Sequence, residues 1–159
     1  PELATLVAHH ARYRPDHLAV VFGSERLTWK QFAARTGRAA SALAALGIGP
    51  GDKVATVLGN CREALELIWA VPQLGAALVP LSPLLMPAGL GSLLRDSDAK
   101  CLVTQQSMLP TLLAIPDQLP PHVLLIHGAA GRFEDYAALC EAASDERTPA
   151  RVEDDALFN

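Results

Sequence analysis

Chemistry in a chain like this needs a nucleophile with a base, a set of metal ligands, or a loop that can cradle an anion. The most visible loop is Ile126-His127-Gly128-Ala129-Ala130-Gly131-Arg132, an apolar run that leads into glycines and then a helical pattern. Glycine loops and helix N-termini attract phosphate because their backbone N–H groups are free and positively polarised. This loop has no lysine-serine pair, so a plain turn is the expectation and a phosphate cradle the alternative. Gly47-x-Gly49-x-Gly51 also invites a nucleotide reading. A dinucleotide loop follows a strand and opens a helix, whereas here a helix precedes and a strand follows. Two pairs of carboxylates, Glu63 with Glu66 and Asp96 with Asp98, are spaced for acid–base work if their surroundings separate their pKa values. The first pair falls at a helix start, where the dipole favours acids, and the second at a helix end beside Lys100. Solvated structural roles are expected for both. Ser24, Ser41, Ser82 and Ser107 have no histidine close in sequence. His9-His10 lacks further ligands at metal spacing, so no metal site is expected. The remaining candidate is Val79-Pro80-Leu81-Ser82-Pro83, at the carboxyl end of a predicted parallel strand. Ligands in open α/β sheets gather there, so Pro80, Leu81 and Ser82 are the residues expected to touch one. The alternative is that the two prolines only stiffen a loop.

The elements that must position these residues follow from periodicity. Glu2 to Tyr13 reads as a helix with Leu3, Leu6, Val7 and His10 on one face, ended by Pro15. Leu18–Phe22 and Arg26–Thr28, joined by Gly23-Ser24-Glu25, read as a hairpin. Thr28 and Gln31 make a capping box for the next helix, with Leu27 and Phe32 as its hydrophobic staple. Trp29, Phe32, Ala33, Thr36, Ala40 and Leu43 form its buried stripe, leaving Arg35 and Arg38 in water. Gly47 takes the left-handed position that ends the helix, and Ile48 folds back onto Leu43.

Lys53 to Leu58 is apolar on both faces, as a buried parallel strand should be. Asn60 with Glu63 should cap a helix whose inner face is Ala64, Leu67, Ile68, Val71 and Leu74, loosened at Pro72 and closed at Gly75. Strands over 76–81, 101–104 and 123–126 alternate with helices over 87–96, 107–115 and 133–142. Beyond them a surface loop over 144–152 and a strand over 154–158 are expected. This alternation predicts an α/β fold with a mainly parallel, Rossmann-like sheet and flanking helices.

Composition narrows the function. The chain has 159 residues, enough for one domain or part of one, and about 70% of its unfolded surface can be buried. A net charge of -4 and the lack of a basic patch argue against nucleic acid. No apolar run approaches the roughly 20 residues of a membrane span, and no charged-then-apolar leader follows Pro1. Cys61, Cys101 and Cys140 are scattered and odd in number, which points to packing roles in a reducing, cytoplasmic compartment. Half the residues are hydrophobic, an excess that suggests surface meant to meet something else.

Several stretches, taken in order, resemble the AMP-forming acyl-CoA synthetases and their adenylate-forming relatives. Leu27-Thr28-Trp29-Lys30-Gln31-Phe32 resembles the family's T-Y-x-E-L helix start. Residues 47–55, Gly-Ile-Gly-Pro-Gly-Asp-Lys-Val-Ala, are similar to G-V-G-P-G-D-R-V-A. Asn60 resembles the asparagine of P-N-S, with Gly59 in place of proline. Residues 74–83, Leu-Gly-Ala-Ala-Leu-Val-Pro-Leu-Ser-Pro, resemble K-A-G-A-V-V-P-L-N-P, with Ser82 in place of asparagine. Residues 96–100 resemble D-S-G-A-K.

The resemblance implies an enzyme that activates a carboxylic acid, with a fatty acid the first expectation, using ATP and magnesium. The acyl-adenylate formed is then attacked by CoA, with loss of AMP. It implies that residues 1–159 are the N-terminal α/β subdomain of such a ligase, stopping before the phosphate-binding loop and inactive alone. The partners implied are the rest of the ligase chain and, as an open possibility, a second copy in a homodimer. Pro80, Leu81 and Ser82 would then lie on the CoA side of the cleft. Two other readings stand beside this one: a self-contained module that binds a nucleotide at Gly128–Gly131, and an oligomerisation module.

Overall fold

The computed structural model describes residues 3–144. The predicted loop over 144–152 falls outside that range from residue 145 on. The predicted strand over 154–158 and the first residue of the predicted first helix, Glu2, also lie outside it.

The chain opens with α1 (Leu3–Tyr13), followed by the hairpin strands β1 (Leu18–Phe22) and β2 (Glu25–Thr28), which pair antiparallel. Next comes α2 (Trp29–Ala45), whose start is built by the predicted capping box. The Thr28 hydroxyl accepts from the Gln31 backbone N–H, and the Gln31 side chain accepts from the Thr28 N–H at 2.9 Å. Phe32 is buried against Val7 of α1 and Val20 of β1, with Leu27 and Trp29 packed beside it. This small cluster holds α1 and the hairpin onto the outer end of α2. The far end of α2 closes as a Schellman motif. Gly47 adopts φ 87°, its N–H donates to Ala44 O, and the Ile48 N–H donates to Leu43 O at 3.1 Å.

The remaining chain alternates strand and helix. Its elements are β3 (Lys53–Val57), α3 (Arg62–Ala70), β4 (Ala77–Leu81), α4 (Pro87–Ser97), β5 (Cys101–Gln105), α5 (Leu109–Leu113), β6 (His122–Ile126), β7 (Glu134–Asp135) and α6 (Tyr136–Ala142). The last five strands form one parallel sheet in the order β4-β3-β5-β6-β7. Alternation along these strands sorts the core into two layers. Val54, Cys101, Val103, Leu124 and Ile126 pack under α2, α3 and α6. Ala55, Val57, Leu102, Val123 and Leu125 pack under α4 and α5. A parallel sheet with both faces covered by helices is the predicted α/β architecture.

Several expectations need correction. Helix α3 starts at Arg62 with Cys61 as its N-cap, and neither Asn60 nor any other side chain caps it. Its inner face is Glu63, Glu66, Leu67 and Ala70, while Ile68 is 45% exposed. Leu67, Val71 and Leu74 are buried as expected, so the predicted face is corrected at Ala64 and Ile68, while Glu63, Glu66 and Ala70 join the buried side. The helix stops at Ala70, and Pro72–Leu74 forms a single 3-10 turn closed by Gly75 at φ 69°. The predicted helix over 133–142 begins later, because Glu134–Asp135 first adds an edge strand and Asp135 then caps α6 through Ala137 N.

Candidate functional site

The parallel strands all end on one side of the molecule, and that side carries the candidate residues. Val57 pairs with Leu81, so Gly59-Asn60 and Ser82-Pro83 leave the sheet side by side. Pro80 is exposed opposite Thr56 on an edge strand, the place where a residue without an N–H costs no ladder bond. Ser82 is exposed, and its hydroxyl accepts from the Leu84 N–H at 3.2 Å. Its proton is therefore free to be donated. Leu84 and Met86 follow at 89% and 75% exposure. On the other side of β3, the Gln105 carbonyl accepts from the Gly59 N–H at 3.3 Å, and its amide donates to the Ser107 hydroxyl at 2.9 Å. The carboxyl ends of β4, β3 and β5 thus carry the Ser82 and Ser107 hydroxyls and the Gln105 side-chain amide beside exposed apolar side chains, while the Gly59 and Leu84 N–H groups are bonded within the edge.

A second polar assembly, missed in the sequence, lies between α2, α3 and α6. Glu66 is only 2% exposed and forms an ion pair with Arg35 of α2. It also accepts from the Tyr136 hydroxyl of α6 at 3.3 Å. Arg62 reaches three carboxylates: Glu25 of the hairpin at 2.6 Å, Glu63 at 3.1 Å and Glu66 at 3.4 Å. Burial pushes the Glu66 carboxyl above the usual carboxylate range, against the opposing pull of Arg35 and Arg62. Burial also raises the Tyr136 hydroxyl well above its usual value and the Cys140 thiol to about 11. Neither group is poised to ionise near neutrality. These side chains line a cleft of about 140 Å³.

The expectation of solvated roles for Glu63 and Glu66 is therefore wrong; Arg35, paired with Glu66, is only partly in water, and Arg38 is exposed as expected. The signal was in the spacing: residues 63, 66, 67 and 70 fall on one helical face, and that face is the buried one. Charged letters masked the pattern, because a carboxylate is rarely buried without a partner and the partner sits 31 residues away in sequence.

The other candidates resolve as structural. His127 and Gly128 both take positive φ, and the loop closes on itself through mutual bonds between Ala130 and Phe133. It leads into β7, so no helix N-terminus stands behind it to hold a phosphate. Asp96 and Asp98 are exposed, and Asp98 caps α4 in the left-handed conformation at φ 56°. Lys100 turns away from both and pairs with Asp52 at 2.7 Å. Among the described residues, no three His, Cys, Asp or Glu side chains gather so as to hold a metal ion. Also among them, no helix is long and apolar enough to cross a membrane.

A five-stranded parallel sheet covered by helices on both faces, with its strands ending on one side, defines an α/β protein of the open-sheet class. Residues 7–158 match the family described as AMP-binding enzyme. A naringenin synthase of Pestalotiopsis fici is 39% identical over 109 residues, 69% of this chain and 4% of that protein. A long-chain-fatty-acid–CoA ligase of Thermus thermophilus is 35% identical over 129 residues, 80% of this chain and 24% of that one. Among solved structures, the anthranilate CoA ligase AuaEII in complex with anthranoyl-AMP superposes with a TM-score of 0.90 over 96% of this chain and 30% of that chain. Its 20% identity shows a shared fold. The chain belongs to the AMP-binding enzyme family of adenylate-forming ligases and corresponds to their N-terminal part. It spans only 4% and 24% of the lengths of the two sequence relatives.

Proposed function

We propose that residues 1–159 are the N-terminal α/β subdomain of an acid–CoA ligase. The whole enzyme activates a carboxylic acid, a fatty acid in the first instance, with ATP to an acyl-adenylate and transfers the acyl group to CoA. The rest of the ligase chain supplies the phosphate-binding loop, and the segment by itself is inactive. Pro80, Leu81 and Ser82 contribute to the CoA side of the cleft. One observation carries this reading: the family-like stretches at 59–60 and 80–83 emerge together from paired strand ends. Their neutral donors and apolar neighbours match an amide-bearing, uncharged chain such as the arm of CoA. We assign magnesium to the ATP phosphates and to residues that the rest of the ligase chain supplies. The three free cysteines support a cytoplasmic setting.

The test is made on the ligase that carries this segment. Acid-dependent exchange of pyrophosphate into ATP, across fatty, aromatic and amino acids, reports the first half-reaction. Thioester formation reports the second. Ser82→Ala is expected to raise KM for CoA severalfold more than KM for ATP. The absence of exchange with every acid would end the ligase reading, and an equal rise in both constants would remove Ser82 from the CoA side.

A further inference from the structure

We propose that Arg62 is a positioning residue, which fixes the Leu58–Cys61 lip at the carboxyl end of β3 by tying it to the β1–β2 hairpin. The inference rests on the ligase reading only for its kinetic consequence. Its geometry stands apart from that reading.

The lip connects β3 to α3. At its centre, Gly59 donates to Gln105 of β5 at 3.3 Å. At its far end it enters α3, whose N-cap, Cys61, supplies no side-chain hydrogen bond. A helix start without such a cap leaves the entry angle of the chain to tertiary contacts. Arg62, the first residue of the helix, supplies them. Its guanidinium bonds Glu25 Oε1 at 2.6 Å and Glu63 Oε1 at 3.1 Å, and its Nε lies 3.4 Å from Glu66 Oε1. Glu66 is in turn anchored by Arg35 and Tyr136. One side chain therefore joins the hairpin, α3 and, through Glu66, α2 and α6.

A planar guanidinium suits this task because its donors diverge in a fixed fork. Burial opposes the charge of Arg62, yet the three glutamates around it raise its pKa, so it stays ionised. Because Val57 pairs with Leu81, the lip leaves the sheet beside Ser82, the residue proposed to contact CoA. Misplacement on the scale of an ångström is enough to disturb binding or turnover.

The test uses the ligase carrying this segment and reads two quantities. Hydrogen exchange is followed at residues 59–61 and 22–26, and KM for CoA is measured beside kcat. In Arg62→Ala, exchange at both stretches should accelerate about tenfold or more, and KM for CoA should rise about fivefold with kcat nearly unchanged. Arg62→Lys should recover part of both effects. Glu25→Ala, at a half-exposed position that leaves the core intact, should free the hairpin and loosen the lip to a smaller degree. It keeps the test decisive if Arg62→Ala does not fold. Unchanged exchange at 59–61 in folded Arg62→Ala, or in Glu25→Ala when that is the only folded variant, overturns the proposal. A lowered melting temperature with KM and lip exchange unaltered makes Arg62 merely structural and also overturns it. If the wild-type enzyme forms no thioester, the ligase reading fails while the exchange data still decide the role of Arg62.

Discussion

Asp52 shows how a single side chain secures a junction. Its carboxylate accepts from the Gly49 N–H at 2.9 Å and pairs with Lys100 Nζ at 2.7 Å, so it joins the turn before β3 to the residue before β5. The Lys100 ammonium, followed by the Gly49 N–H, holds the Asp52 carboxyl below the usual carboxylate range. A depressed folded-state pKa contributes stability above the unfolded value and loses it as pH falls through the folded one. Asp52→Asn should therefore melt lower than the wild type at neutral pH, and the two curves should converge in acid. Thermal unfolding between pH 2 and pH 7, roughly the window around a lowered carboxylate, checks this. Glu66 carries the opposite sign. Burial raises its pKa, so its contribution is full below the unfolded value and declines as pH rises through the folded one. Glu66→Gln keeps an acceptor for Arg35 and Tyr136 and should abolish that decline in a melting-temperature profile. Glu66→Ala should cost about 3 kcal/mol, the low end for breaking a buried pair, because Arg35 is 36% exposed and stays partly hydrated.

At the scale of elements, helix ends separate what is local from what is not. The Thr28–Gln31 box and the Gly47 cap were legible because each joins residues three to five apart, and the chain has few other ways to satisfy the same backbone groups. Two glycines with similar φ make a quantitative comparison. At Gly47, φ 87°, an added Cβ meets nothing within 4 Å. At Gly75, φ 69°, it would lie 3.3 Å from Pro50 Cα. Gly47→Ala should thus cost about 1 kcal/mol, the conformational term alone. Gly75→Ala should cost more, since the backbone of Pro50 must also shift. Urea unfolding of the two variants measures the difference. The start of α3 was misread for a complementary reason. Asn60 and Glu63 have the letters of a cap, but Glu63 is drawn to Arg62, and the face of the helix is set by the sheet beneath it.

For the molecule as a whole, the central issue is how much of an enzyme this sheet represents. The Gly128–Gly131 loop is a closed turn, and the Gly59 N–H and the Gln105 amide at the carboxyl edge are bonded within the edge. Calorimetric titration of the 159-residue chain with ATP and magnesium should therefore show no saturable binding. Micromolar binding by folded chain would instead favour the nucleotide-module reading. The sequence by itself determined the parallel α/β class, the capping box, the helix stop at Gly47 and the family. Those features depend on periodicity and on residues close along the chain, where backbone geometry leaves few choices. Only the tertiary structure decided which face of α3 is buried and which carboxylates are paired. It also decided that Lys100 serves Asp52 and that Arg62 joins the hairpin to the lip. The face of α3 depends on the sheet beneath it, and the pairs Arg35–Glu66, Arg62–Glu25 and Lys100–Asp52 join charges that are distant in sequence and become neighbours only in the packed fold. The desolvation cost that makes such pairing obligatory does not exist until the fold excludes water.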